Sequence, residues 1–234
     1  MTFVNLVVLF GTVLIIAAFF VAINFRNVKK PSFYKYIALY ILLGILISAN
    51  TLINYFPSGR VPDNEFRLLQ ELFLLFQLIL LGLFFLKIFR NSSYFRLSKR
   101  ILFISISIQA ILIILLVILR IDLKPNISSS LFLLFCCFFY IKDILNSKSP
   151  KILVKSSSFW IVMGIFFHSG ISFPVCSLIP FIPLSEEYRI LRSQVFSIYN
   201  LSLIVFYALI IKSYLCLMRP LNSYWFLLLF LHYW

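Results

Sequence analysis

Acids are scarce in this chain. Asp and Glu total seven against 21 Lys and Arg in 234 residues, a net charge of +14. No two acids share one apolar run, which removes the paired carboxylates that an intramembrane acid pair needs. Histidine occurs twice, as His168 in the sixth apolar run and His232 in the C-terminal tail, a pattern that argues against a two-histidine haem or metal site. The four cysteines, Cys136, Cys137, Cys176 and Cys216, show no C-x-x-C or Cys/His spacing, so they indicate neither zinc nor a disulfide framework and read as small packing residues. Six Gly and nine Pro exclude a collagen-like or low-complexity chain. A Gly-rich phosphate loop, H-E-x-x-H and G-x-S-x-G are all missing. Nothing in the sequence argues for an enzyme, a cofactor or a metal.

Apolar residues are what the chain has in excess. They make up 62% of it, charged residues only 12%, and the mean hydropathy is +1.05. Soluble domains average roughly 45–50% apolar and about 25% charged. The 28 phenylalanines suit surfaces that face hydrocarbon.

A membrane span needs about 20 mostly apolar residues, and a backbone in lipid must satisfy its own hydrogen bonds as a helix. Seven runs qualify: Thr2–Asn24, Tyr36–Phe56, Phe66–Ile88, Ile101–Leu119, Ser128–Leu145, Phe159–Ile182 and Gln194–Tyr214. The first lacks the positive n-region and cleavage site of a signal peptide, and its basic residues follow it, so it reads as a retained span. The expected fold is an all-α transmembrane bundle of seven spans. One domain covers residues 1–220, followed by a short apolar tail at 221–234.

Charge sets the expected orientation. Arg26, Lys29, Lys30, Lys35, Lys87, Arg90, Arg96, Lys99, Arg100, Lys142, Lys148, Lys151, Lys155, Lys212 and Arg219 fall on one side of the seven-span arrangement. The other side holds fewer basic residues and nearly all the acids. Short basic loops mark the cytosolic side, so the N-terminus is expected outside and the C-terminus in the cytosol. The basic face should attract anionic lipids. This pattern explains the positive charge better than nucleic-acid binding does, because the charges sit between long apolar runs.

Polar residues inside spans are the candidates for a site, since lipid charges a high cost for them. Asn50 and Asn54 are four apart near the outer end of the second run, and Arg67 and Glu71 are four apart near the outer end of the third. Together they suggest a polar recess open to the outer side. Helix-end polarity and an internal Arg67–Glu71 pair account for the same residues. His168 lies near the middle of the sixth run, as a ligand contact or proton relay, or as a neutral histidine bonded between helices. Gln77, Gln109 and Asn200 read as interhelical hydrogen-bonding residues, and Pro174, Pro180 and Pro183 as the unwinding outer end of the sixth run.

Two segments carry a resemblance: Ser158–Phe173 (SFWIVMGIFFHSGISF) and Ile198–Leu217 (IYNLSLIVFYALIIKSYLCL). Through Phe159, Trp160 and Gly164 in the first, and Asn200, Lys212 and Cys216 in the second, they resemble the last two spans of a bacterial seven-helix membrane family. Similar segments occur there alone or before a histidine kinase domain. The resemblance covers about a quarter of the chain, and an apolar tail stands where that kinase domain would begin. It implies a sensor-like or signalling-associated module of a bacterial inner membrane, acting through a signalling partner at the basic face. It carries no ligand and no functional residues. The alternative expectation is a small transporter or channel.

Overall fold

The computed structural model describes residues 11–19, 22, 32–55, 64–119, 126–146, 156–183 and 186–218. Helical residues 11–19 (α1) are followed by α2 (Tyr34–Tyr55), α3 (Asn64–Ile88), α4 (Phe95–Leu119), α5 (Asn126–Leu145), α6 (Ser157–Leu178) and α7 (Arg189–Met218). No strand occurs among the described residues. The tail at 221–234 lies outside them.

Five of these helices carry segments long and apolar enough to cross a membrane: Glu71–Asn91, Phe95–Leu115, Ser128–Leu145, Ser157–Leu178 and Ile190–Cys216. The protein is therefore a multi-pass integral membrane protein in contact with the bilayer. Helix α2 is 22 residues long, and its described apolar part runs from Tyr34 to Leu46.

From α2 onward, each helix packs against the next in sequence, and α3 also touches α5. The chain runs up and down. The start of α2 meets the end of α7 through a Tyr34–Ser213 hydroxyl pair at 2.5 Å, and meets the end of α3 through Phe33 on Phe84. The α3–α4 turn meets the end of α5, and the end of α5 meets the start of α6 through Tyr140 and Ser158 at 3.0 Å. All these contacts gather at one end of the bundle. The described basic residues Lys35, Lys87, Arg90, Arg96, Lys99, Arg100, Lys142 and Lys212 lie at or near that same end, which is called the basic end below.

The interior near the basic end is filled. Tyr34, Ile37, Ile41, Phe84, Phe85, Phe89, Ile210 and Tyr214 are all buried there. Large side chains are excluded where backbones come closest. A Cβ on Gly164 of α6 would stand 2.9 Å from the Phe206 ring and 3.3 Å from the Phe206 carbonyl oxygen on α7. Glycine lets these two helices approach closely, as small residues do in membrane helix packing. By contrast, the outward face of α4 presents Phe103, Ile104, Ile108, Ile111, Ile114 and Ile118, the kind of surface that lipid chains cover.

The sequence placed the end of the sixth span among three prolines. Helix α6 instead continues through Pro174 to Leu178, and only then tightens into a 3₁₀ turn at Ile179–Phe181. Pro174 removes one N–H donor from the helix, and Ser177 donates its hydroxyl to the Phe173 carbonyl at 2.8 Å in the same turn. Pro180 sits in the 3₁₀ turn, where a missing N–H costs little.

Candidate functional site

The polar side chains of the bundle interior converge between α6, α7, α2 and α3. On α6, His168 Nδ1 lies 2.8 Å from the Ser202 hydroxyl of α7. Ser202 in turn donates to the Tyr199 carbonyl at 2.6 Å. A hydroxyl has one proton, so the histidine bond runs from Nδ1–H to the Ser202 oxygen. That fixes a neutral imidazole as the Nδ1–H tautomer, with Nε2 left as an acceptor. The ring lies nearly parallel to Phe206 with centroids 5.7 Å apart, and Tyr199 flanks it at 5.4 Å.

Phe206 links this cluster to α2, meeting Tyr40 edge-on at 5.6 Å. The Tyr40 phenol lies beside that of Tyr207 of α7. Gly44 makes room for that approach: a Cβ there would stand 3.1 Å from the Tyr207 hydroxyl and 4.0 Å from Gln77 Nε2 on α3. Helices α2, α3, α6 and α7 thus place Tyr40, Gln77, His168, Tyr199, Ser202 and Tyr207 along one polar strip, about 12 Å from Tyr207 to Tyr199, with Gly44 facing Gln77 at its middle level.

The predicted outer recess lies above this level. Gly44 faces Gln77, and the two helices are antiparallel, so Asn50 shares a level with Glu71 and Asn54 with Arg67. Six residues of helix, about 9 Å at 1.5 Å per residue, separate Asn50 from Gly44 and Glu71 from Gln77. Glu71 is partly buried, with one carboxylate oxygen shielded from solvent. The side chains of Asn50, Asn54 and Arg67 lie outside the described residues. His168, treated in the sequence as a separate candidate, meets the Tyr199–Phe206 stretch of α7.

Sequence reasoning missed Tyr40, Tyr199, Ser202, Tyr207 and Gly44. Tyr and Ser are common in membrane helices, and only the pairing of α2 with α7 brings these five together. A weak signal was available: Tyr199, Ser202 and Phe206 recur at helical spacing, which puts them on one face of α7.

Other polar groups follow a simpler rule. Ser130 and Ser172 bond across α5 and α6 at 2.9 Å, and the Cys137 thiol donates to the Val162 carbonyl at 3.6 Å. Cys136, Cys137 and Cys176 are buried free thiols, and Cys216 is partly buried. Gln109, expected to bond between helices, is 0% exposed on α4, and neither its amide nitrogen nor its oxygen has a partner among the described residues. Among the described residues no cluster of three or more His, Cys, Asp or Glu is arranged to hold a metal ion. Comparisons with protein-family models, with curated proteins and with solved structures give no match.

Proposed function

We propose that this protein is a seven-span sensor-like module of a bacterial inner membrane, with its N-terminus outside and its basic end in the cytosol. In this reading a small polar or lipid-borne cue enters the recess around Asn50, Asn54, Arg67 and Glu71. The polar strip that includes His168 forms its floor, and a signalling partner reads the outcome at the basic end.

One observation carries this reading. The polar strip around His168 is joined to α7, and α7 runs uninterrupted from there to the basic end, where Ser213 and Tyr214 grip Tyr34. A ligand that alters the His168–Ser202 contact acts on a helix whose far end lies at the basic face. The filled interior between His168 and the basic end favours a receptor over a transporter or channel, since among the described residues the bulky Tyr34, Phe84, Phe85 and Tyr214 are buried there.

The test is native mass spectrometry of the protein released gently from its own membranes, followed by a thermal-shift screen of small polar compounds. A co-purifying kinase or other signalling protein, and compounds whose stabilisation is lost in the double variant Glu71→Gln, His168→Phe, are the expected results. Compounds that shift the wild type and the double variant alike would sink the site assignment. Flux of a substrate through liposomes carrying the protein would replace the sensor reading with the carrier one.

A further inference from the structure

We propose that the α3–α4 hairpin turn is a binding site for the phosphate of anionic phospholipids. The inference rests on the bilayer placement of α4 and is independent of the sensor reading.

Four cations stand exposed on this hairpin: Arg90 on the turn after α3, and Arg96, Lys99 and Arg100 on the first two turns of α4. Spacings of three and four put the latter three on one face of α4. The next turn of that face carries Phe103, 72% exposed, and Ile104, 55% exposed. Read along the helix, this face passes from positive charge to hydrocarbon-like surface, as a bilayer does from headgroup to acyl chain. The length of α4 agrees. Its 25 residues extend about 37 Å at 1.5 Å per residue, against roughly 30 Å of hydrocarbon. The excess of about 7 Å holds the first turn or so of the helix in the headgroup layer.

The support beneath these cations is fixed. Ser92 in the turn donates to Asp143 at the end of α5 at 3.1 Å and accepts from the Tyr94 N–H at 3.3 Å. Tyr94 stacks on Phe139 of α5 at 5.0 Å with planes 8° apart. Asp143, the one acid described at this end, is thereby held on the turn serine, and none of the four cations pairs with a described acid. The other exposed cations described at the basic end stand singly, one to a helix: Lys35 lies over Tyr36, Lys142 over Tyr94 and Lys212 over Trp160, each 5.0 to 6.0 Å from a ring. Among the described residues of the basic end, exposed positive charge is thus densest at the hairpin, with four cations between Arg90 and Arg100. Arginine offers phosphate two parallel N–H donors, which makes it the better anchor for a headgroup than a scattered lysine.

The experiment titrates the detergent-purified full chain with phosphatidylglycerol and with phosphatidylcholine, counting retained lipids by native mass spectrometry. Three proteins are compared: wild type, R96Q/K99Q/R100Q, and the charge-matched control K30Q/K35Q/K212Q, which leaves Lys142 in place because it lies over Tyr94 of the hairpin. The wild type should prefer phosphatidylglycerol, the hairpin variant should lose about a hundredfold of that affinity, and the control should keep most of it. Equal losses in both variants would mean bulk attraction to a positive surface and overturn the site. Unchanged lipid binding in the hairpin variant, with loss of a co-purifying acidic protein instead, would overturn the lipid assignment. If the triple variant does not fold, R96Q and R100Q singly replace it, since each changes one exposed side chain. A chain that stays soluble without detergent would remove the bilayer placement itself and is read separately.

Discussion

The seam between α6 and α7 and the buried face of α4 both place polar side chains inside the membrane, and they treat them differently. In the seam, His168 and Ser202 find each other at 2.8 Å because Gly164, one turn away, lets the backbones close up. On α4, Gln109 is as buried as Ser202, yet both ends of its amide are unmatched among the described residues. A polar residue in a span is thus satisfied by how near a complementary helix comes, and its own chemistry does not decide that. An amide without partners costs roughly 1–3 kcal/mol, whereas an interhelical bond returns about 0.6 kcal/mol on average.

This contrast can be broken by mutation. The largest effect is expected at Gly164→Ala, which must push apart the α6 and α7 backbones because one of its near contacts is the Phe206 carbonyl. A loss of about 1–3 kcal/mol in detergent unfolding is expected. Gly11→Ala, with nothing within 4 Å of its added Cβ, is the control and should cost nothing measurable. An unaffected Gly164→Ala protein would mean that the seam is looser than described.

Next in size is Gln109→Leu. Removing an unmatched amide should raise stability by about 1–2 kcal/mol, read as a higher thermal midpoint. A loss of stability instead would show that the amide is bonded in the membrane and would erase the difference between the two regions.

The smallest effect is the coupling between His168 and Ser202. A double-mutant cycle of His168→Phe and Ser202→Ala should return about 0.6 kcal/mol, within a ceiling near 1.7. A coupling indistinguishable from zero would leave the two groups as neighbours without a bond between them.

Much of the architecture was legible because lipid imposes a single requirement. Long apolar runs must become helices, so the boundaries of α3, α4 and α5 fall within a few residues of Phe66–Ile88, Ile101–Leu119 and Ser128–Leu145, save for the six residues by which α4 starts earlier. Those six, Phe95–Arg100, were hidden because Arg96, Lys99 and Arg100 interrupt the apolar run while remaining helical. The candidate site was less legible. Glu71 and His168 stand out by charge and chemistry, but Tyr40, Tyr199 and Tyr207 look like any other aromatics in spans rich in them.

The sequence by itself determined that this chain lives in a membrane as helices, and which polar residues have to be accommodated there. Both follow from the energy of polar groups in hydrocarbon, which depends on residue type and run length alone. Only the tertiary structure decided which of those residues meet. His168 pairs with Ser202, and Gln109 with none of the described residues, because that outcome depends on how closely particular helix backbones approach, and one glycine on α6 permits an approach that no composition records.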